Sequence, residues 1–119
     1  MIIKYKKIVC FDIDGVICFT KGNNYAKSKP NKNSIKLINN LFDQNYYIKV
    51  FTSRYMGRSN QNVSLAKKMG LLHTKNQLKK WKVKYHKLIM GKPSYDLFID
   101  DKNLSFKKNW HRLLKKKLK

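Results

Sequence analysis

Short apolar runs separated by longer polar stretches set the rhythm of this chain. Ile8-Val9-Cys10-Phe11 is a continuous run of strand formers and predicts a first strand, buried on both faces. Tyr46 to Phe51 predicts a second strand, His86 to Met90 a third and Leu97-Phe98-Ile99 a fourth. Ile35, Leu37, Ile38, Leu41 and Phe42 recur at helical spacing behind Ser34, which predicts a helix capped by that serine. "QNVSLAKKMGLL" predicts a second helix ending near Gly70, "TKNQLKKWK" a short separate helix, and Leu104 to Leu118 a closing helix. Residues 21 to 33, "KGNNYAKSKPNKN", read as an exposed loop. Strands alternating with helices predict an α/β fold: a single Rossmann-like domain over residues 1–119, three layers around a central parallel sheet.

Composition narrows the setting without naming a function. With 119 residues and 42% hydrophobic content the chain has the size of one compact domain. No apolar stretch approaches the roughly 20 residues of a membrane span. The start "MIIKYKKIVC" reaches Asp12 too early for a signal peptide, so the expected compartment is the cytoplasm. Cys10 and Cys18 lack metal-site spacing, and Cys10 is expected to be a buried reduced thiol. The 28 Lys+Arg face only six acids, a formal charge of +22. Such a charge suits nucleic acid. Yet the lysines are spread along the whole chain beside abundant Asn, Ile and Tyr, the composition an AT-rich genome produces without selection for binding. Only the tail "HRLLKKKLK" concentrates charge, and a solvated helix end accounts for it as well. Anionic substrates are favoured under either reading.

All six acids are aspartates, and four of them sit where strands stop. The first strand ends at Asp12 and Asp14, the second at Thr52, the third leads through Gly91 to Lys92, and the fourth ends at Asp100-Asp101. In open parallel sheets a site forms outside the carboxyl ends of the strands, so these stops are expected to meet in one crevice. A carboxylate there can attack a phosphate monoester and split one hard hydrolysis into two easier steps. A second carboxylate two residues on can move the proton.

In this arrangement the chain resembles the haloacid-dehalogenase superfamily of phosphatases over essentially its whole length. The matching motifs are Asp12-Ile13-Asp14-Gly15-Val16, Thr52 in "VFTSR", Lys92 in "GKP" and Asp100-Asp101 in "LFIDD". The run "GKPSYDLFIDDK" resembles small members associated with capsule and surface polysaccharide biosynthesis. The resemblance implies Asp12 as nucleophile, Asp14 as acid and base, and Thr52 and Lys92 as holders of the phosphoryl oxygens. It also implies Mg²⁺ bound by Asp12, the Asp14 carbonyl and one of Asp100 and Asp101, an all-oxygen set suited to that ion. Gly15 is expected to turn the loop sharply and bring backbone N–H groups to the phosphate. The intervals Val16 to Ile48 and Arg54 to Gly91 leave no room for a cap domain, which implies the minimal capless type.

Several positions have two readings. Ser53 stands in reserve for Thr52, and Lys87 and Lys102 for Lys92. Arg54 and Arg58 either reach a substrate anion or are surface arginines. Asp43 and Asp96 read as solvated or capping acids; Trp81 and Trp110 read as packing residues; His73, His86 and His111 share no ligand spacing. The expected partner is a small phosphorylated substrate, first a sugar phosphate. A polynucleotide end is the alternative, and a non-catalytic binding module is a third possibility. The chain is expected to be a monomer or homodimer.

Overall fold

A computed structural model describes residues 4–119. The chain runs β1 (Ile8–Phe11), β2 (Cys18–Phe19), a 3-10 turn (Tyr25–Lys27), β3 (Lys29–Pro30), α1 (Lys32–Asp43), β4 (Tyr47–Thr52), α2 (Val63–Lys80), β5 (Lys87–Met90) and α3 (Trp110–Leu118). β1, β4 and β5 form a parallel sheet in that order, flanked by helices. β4 is its centre. Ile48, Val50 and Thr52 alternate along it and are fully buried, as expected where both edges are paired. Ile13, Ile17, Ile38 and Leu78 close the same core, with Trp110 and Leu114 of α3 against it. The sheet and its helices are the expected Rossmann-like α/β core, with no cap domain among the described residues.

The helices differ from expectation at their ends. α1 is capped by Asn31, whose side chain accepts the Ser34 N–H at 3.2 Å, while Ser34 is buried inside the first turn. α2 runs through Gly70 for 18 residues and absorbs the separate short helix. Gly70 is not a stop: a Cβ there would lie 2.1 Å from the ring of Tyr55. Its lack of a side chain serves a close approach rather than a cap. α3 begins at Trp110 instead of Leu104; Leu104 still packs against the core from an irregular segment. Residues 21 to 33 are more ordered than a loop, since β2 and β3 pair as a hairpin around the 3-10 turn.

One strand is missing. Leu97-Phe98-Ile99 is irregular, with Leu97 78% and Ile99 88% exposed. Three apolar residues between Asp96 and the Asp100-Asp101 pair bury too little surface to offset ordering their backbone. Phe98 stacks on Tyr95 at 5.0 Å instead. β1 is therefore an edge strand, not one buried on both faces, and Ile8 and Cys10 are exposed.

Candidate active site

Three strand ends converge as expected. Asp12 leaves β1 with one carboxylate oxygen accepting the Ile13 N–H at 2.8 Å and the other 3.2 Å from Lys92 Nζ. Lys92 follows β5, and its backbone N–H donates to the Thr52 carbonyl at 3.0 Å, which ties the end of β5 to the end of β4. Thr52 Oγ1, fully buried, accepts the Arg54 N–H at 3.1 Å. Lys87 is exposed at the start of β5 and Lys102 sits beside Asp100, so the geometry picks out Lys92 from the three lysines. Ser53 lies half-buried beside Thr52.

The loop after β1 is a tight turn. The Ile13 carbonyl accepts from Val16, Ile17 and Cys18, and Gly15 takes φ +89°, a left-handed conformation that favours glycine. The Gly15 N–H donates to the Cys18 carbonyl at 2.9 Å. Gly15 thus makes the turn, but its own N–H is used within it rather than offered to a phosphate.

Arg54 is not a surface arginine. It is 1% exposed, and its Nε and Nη2 grip Asp14 in a fork, Nε to Oδ2 at 2.9 Å and Nη2 to Oδ1 at 2.9 Å. Nη1 donates to Gln77 Oε1 at 2.6 Å, and Gln77 in turn donates to the Tyr25 carbonyl at 2.7 Å. Thr20 Oγ1 adds a hydrogen bond to Asp14 Oδ1 at 2.6 Å. Arg58 stays exposed, donates to the Asn23 carbonyl at 2.6 Å and lies over the Tyr25 and Tyr55 rings. Neither arginine points a free guanidinium at a substrate.

The electrostatics follow from this pairing. Burial pushes the Asp12 carboxyl above the ordinary aspartate value and Asp14 adds to the push, while Lys92 and the Ile13 N–H pull it back. Burial works against the Lys92 ammonium, but Tyr95 and Asp12 outweigh it and hold Lys92 above the ordinary lysine value. Each carboxylate has its own cation.

Asp100 and Asp101 do not join them. They stand on an exposed turn, where Asp100 accepts the Lys102 N–H at 3.0 Å and is held below the usual carboxylate range by that bond. The strand expected to deliver them is absent. Among the described residues no group of three acidic, His or Cys side chains is placed to hold a metal ion. Of the expected Mg²⁺ set, Asp12 and the Asp14 carbonyl stand at the end of β1 without Asp100 or Asp101 beside them.

No protein-family model and no curated protein matches the chain. Two solved structures do. A crystal structure of an MCSG target from Vibrio cholerae superposes with a TM-score of 0.77 at 24% identity, covering 93% of this chain and 98% of that one. The structure of a Pnkp1/Rnl/Hen1 complex gives a TM-score of 0.53 at 16% identity, covering 82% of this chain but 31% of that one. The fold is shared.

Thr20, Gln77 and Tyr25 were not singled out by the sequence, and the structure brings all three into the site's support. Thr20 directly follows β2, much as Thr52 closes β4, a signal that a two-residue strand hides. Gln77 is a polar position on the buried side of α2, beside Leu78 and one turn after Thr74, and that periodicity was readable. The remaining polar residues behave as expected: Asp43 pairs with Lys84 in solvent at 2.8 Å, Asp96 is exposed, and His86 stacks between Phe42 and Tyr47.

Proposed function

We propose that the chain is a phosphomonoester hydrolase in which Asp12 attacks phosphorus and carries the phosphoryl group between two half-reactions. The observation that carries this reading is the contact of Asp12 with Lys92 at the mouth of the sheet, 3.2 Å apart, with Thr52 one strand away. An Asp12 oxygen forms a bond to phosphorus as the ester P–O bond breaks, and the leaving oxygen takes a proton from Asp14. Water then attacks the aspartyl-phosphate, its proton passes to Asp14, and free phosphate and the Asp12 carboxylate are restored. The fork by which Arg54 holds both Asp14 oxygens fixes the orientation of that carboxylate and supports this role. Lys92 offsets charge on the transferring group.

Mg²⁺ belongs to the proposal as the cation that a phosphate dianion beside two carboxylates calls for. It requires Asp100 or Asp101 to reach Asp12. The substrate class favoured by the sequence resemblance is a phosphorylated sugar or other precursor of a surface polysaccharide. A phosphate-release screen over sugar phosphates, nucleotides and end-phosphorylated oligonucleotides tests the reading; no release from any of them, with or without Mg²⁺, removes it. The exposed Lys115, Lys116 and Lys117 on the last turn of α3 support a second reading, a polynucleotide end phosphatase. Under that reading the KM for an oligonucleotide rises steeply with salt, whereas that for a small ester barely changes.

A further inference from the structure

The hairpin β2–β3 bears an open, solvent-facing cavity of about 600 Å³, lined by Phe19, Thr20, Lys21, Asn24, Lys27 and Lys29. Its volume lies within the range of small-molecule sites. Three of its six lining residues are lysines, and none of the three has a carboxylate within salt-bridge reach among the described residues. Phe19 in the same wall is 60% exposed. Together they give the concavity a basic wall and an apolar one, the combination that a phosphorylated small molecule with an apolar face would contact.

The cavity is tied to Asp14. Thr20, in its wall, donates to Asp14 Oδ1 at 2.6 Å and also shares a hydrogen bond of 2.6 Å with Ser28. The hairpin is held in place by two further links: Arg54 through Gln77 to the Tyr25 carbonyl, and Arg58 to the Asn23 carbonyl. Tyr25 lies under both guanidinium groups, 4.8 Å from that of Arg54 and 5.3 Å from that of Arg58. A group in this cavity is thus one side chain away from the carboxylate assigned to proton transfer at the leaving oxygen.

We propose that the hairpin cavity binds the leaving-group side of the substrate and selects small phosphomonoesters that carry a second phosphate, held by Lys21, Lys27 and Lys29 with the substrate's apolar face on Phe19. This rests on the phosphatase reading and extends it to the substrate. No bond is made or broken in the cavity; the second phosphate leaves with the product alcohol.

The experiment compares kcat/KM for glucose bisphosphate and glucose monophosphate, and for adenosine bisphosphate and adenosine monophosphate. The proteins are wild type, a cavity variant (Lys21→Ala, Lys27→Ala, Lys29→Ala) and a control with the same loss of charge far from the hairpin (Lys115→Ala, Lys116→Ala, Lys117→Ala). Wild type is expected to prefer at least one bisphosphate by about tenfold or more, the size of a charge-assisted contact. The cavity variant loses that preference, its kcat/KM falling much more for the bisphosphate than for the matching monophosphate, and the tail control keeps it. Absence of any preference, or a preference that survives in the cavity variant, overturns the proposal. If no ester is hydrolysed the phosphatase reading fails, and calorimetry with the same bisphosphates decides the cavity separately. Weakening of about tenfold in the cavity variant alone supports it; no binding, or equal binding to all three proteins, overturns it.

Discussion

Arg54 Nε lies 2.9 Å from Asp14 Oδ2, with the guanidinium side chain fully out of water and the carboxylate still 26% exposed. The pair is asymmetric. Removing Asp14 strands a buried positive charge, whereas removing Arg54 leaves a carboxylate that water already reaches. Asp14→Ala is expected to destabilise the fold by about 3 to 5 kcal/mol. Arg54→Lys keeps a charge but loses the fork, and it is expected to lower kcat more than it changes KM. Urea unfolding of both variants, with steady-state kinetics on Arg54→Lys, checks the pair. An Asp14→Ala variant as stable as wild type contradicts the assigned burial of Arg54.

Asp12 sets a pH dependence. Its carboxyl is raised above the ordinary aspartate value by burial, more than Lys92 and the Ile13 N–H lower it, and the nucleophile must be ionised. kcat/KM is therefore expected to fall with decreasing pH through a value above that of a free aspartate. For stability the sign is opposite to that of an ordinary ion-paired acid. The folded state holds the Asp12 proton more tightly than the unfolded chain, so this group's contribution to stability falls as pH rises from the ordinary value through the raised one. Asp12→Asn removes both dependences. An acid limb in the rate profile at or below the ordinary aspartate value contradicts the raised carboxyl.

Gly70 is expected to resist substitution although it lies inside a helix. Alanine there gains about 1 kcal/mol of helix propensity, but its Cβ would meet the Tyr55 ring at 2.1 Å, and crowding of that kind costs about 1 to 3 kcal/mol. In a Tyr55→Ala background the same Gly70→Ala change is expected to become neutral or stabilising. A double-mutant cycle by thermal or urea unfolding reads the sign. Equal effects in both backgrounds contradict the packing assignment.

The strand ends were legible because polar residues stop apolar runs abruptly, and Asp12, Thr52 and Lys92 meet on that basis. The fork of Arg54 was not, since a buried arginine and a surface arginine look alike in sequence until a partner such as Gln77, 23 positions on, is known. Gly70 carried the sequence signal of a helix end, but what it provides is room for a ring from another segment. Leu97 to Ile99 carry the local signature of a strand without the burial that makes one. Local pattern located the strand-end residues that meet; long-range pairing decided which residues support them.

The exposed Asp100-Asp101 turn bears on metal dependence. Mg²⁺ is expected to raise turnover and excess chelator to abolish it, with Asp100→Asn or Asp101→Asn weakening the Mg²⁺ response. Because the described arrangement leaves these residues apart from Asp12, Mg²⁺ is also expected to slow hydrogen exchange at Leu97 to Ile99. Undiminished turnover in excess chelator removes the metal from the proposal.

The attack by Asp12 is the central claim, and the covalent intermediate tests it most directly. Protein quenched in acid during turnover of p-nitrophenyl phosphate, digested and mapped by mass spectrometry, is expected to carry a phosphoryl group on the peptide containing Asp12, sited at that residue by fragmentation. Asp12→Asn is expected to carry none and to lose several orders of magnitude in kcat, with its circular dichroism unchanged. A phosphoryl group on another residue, or near-wild-type turnover by Asp12→Asn, contradicts the account.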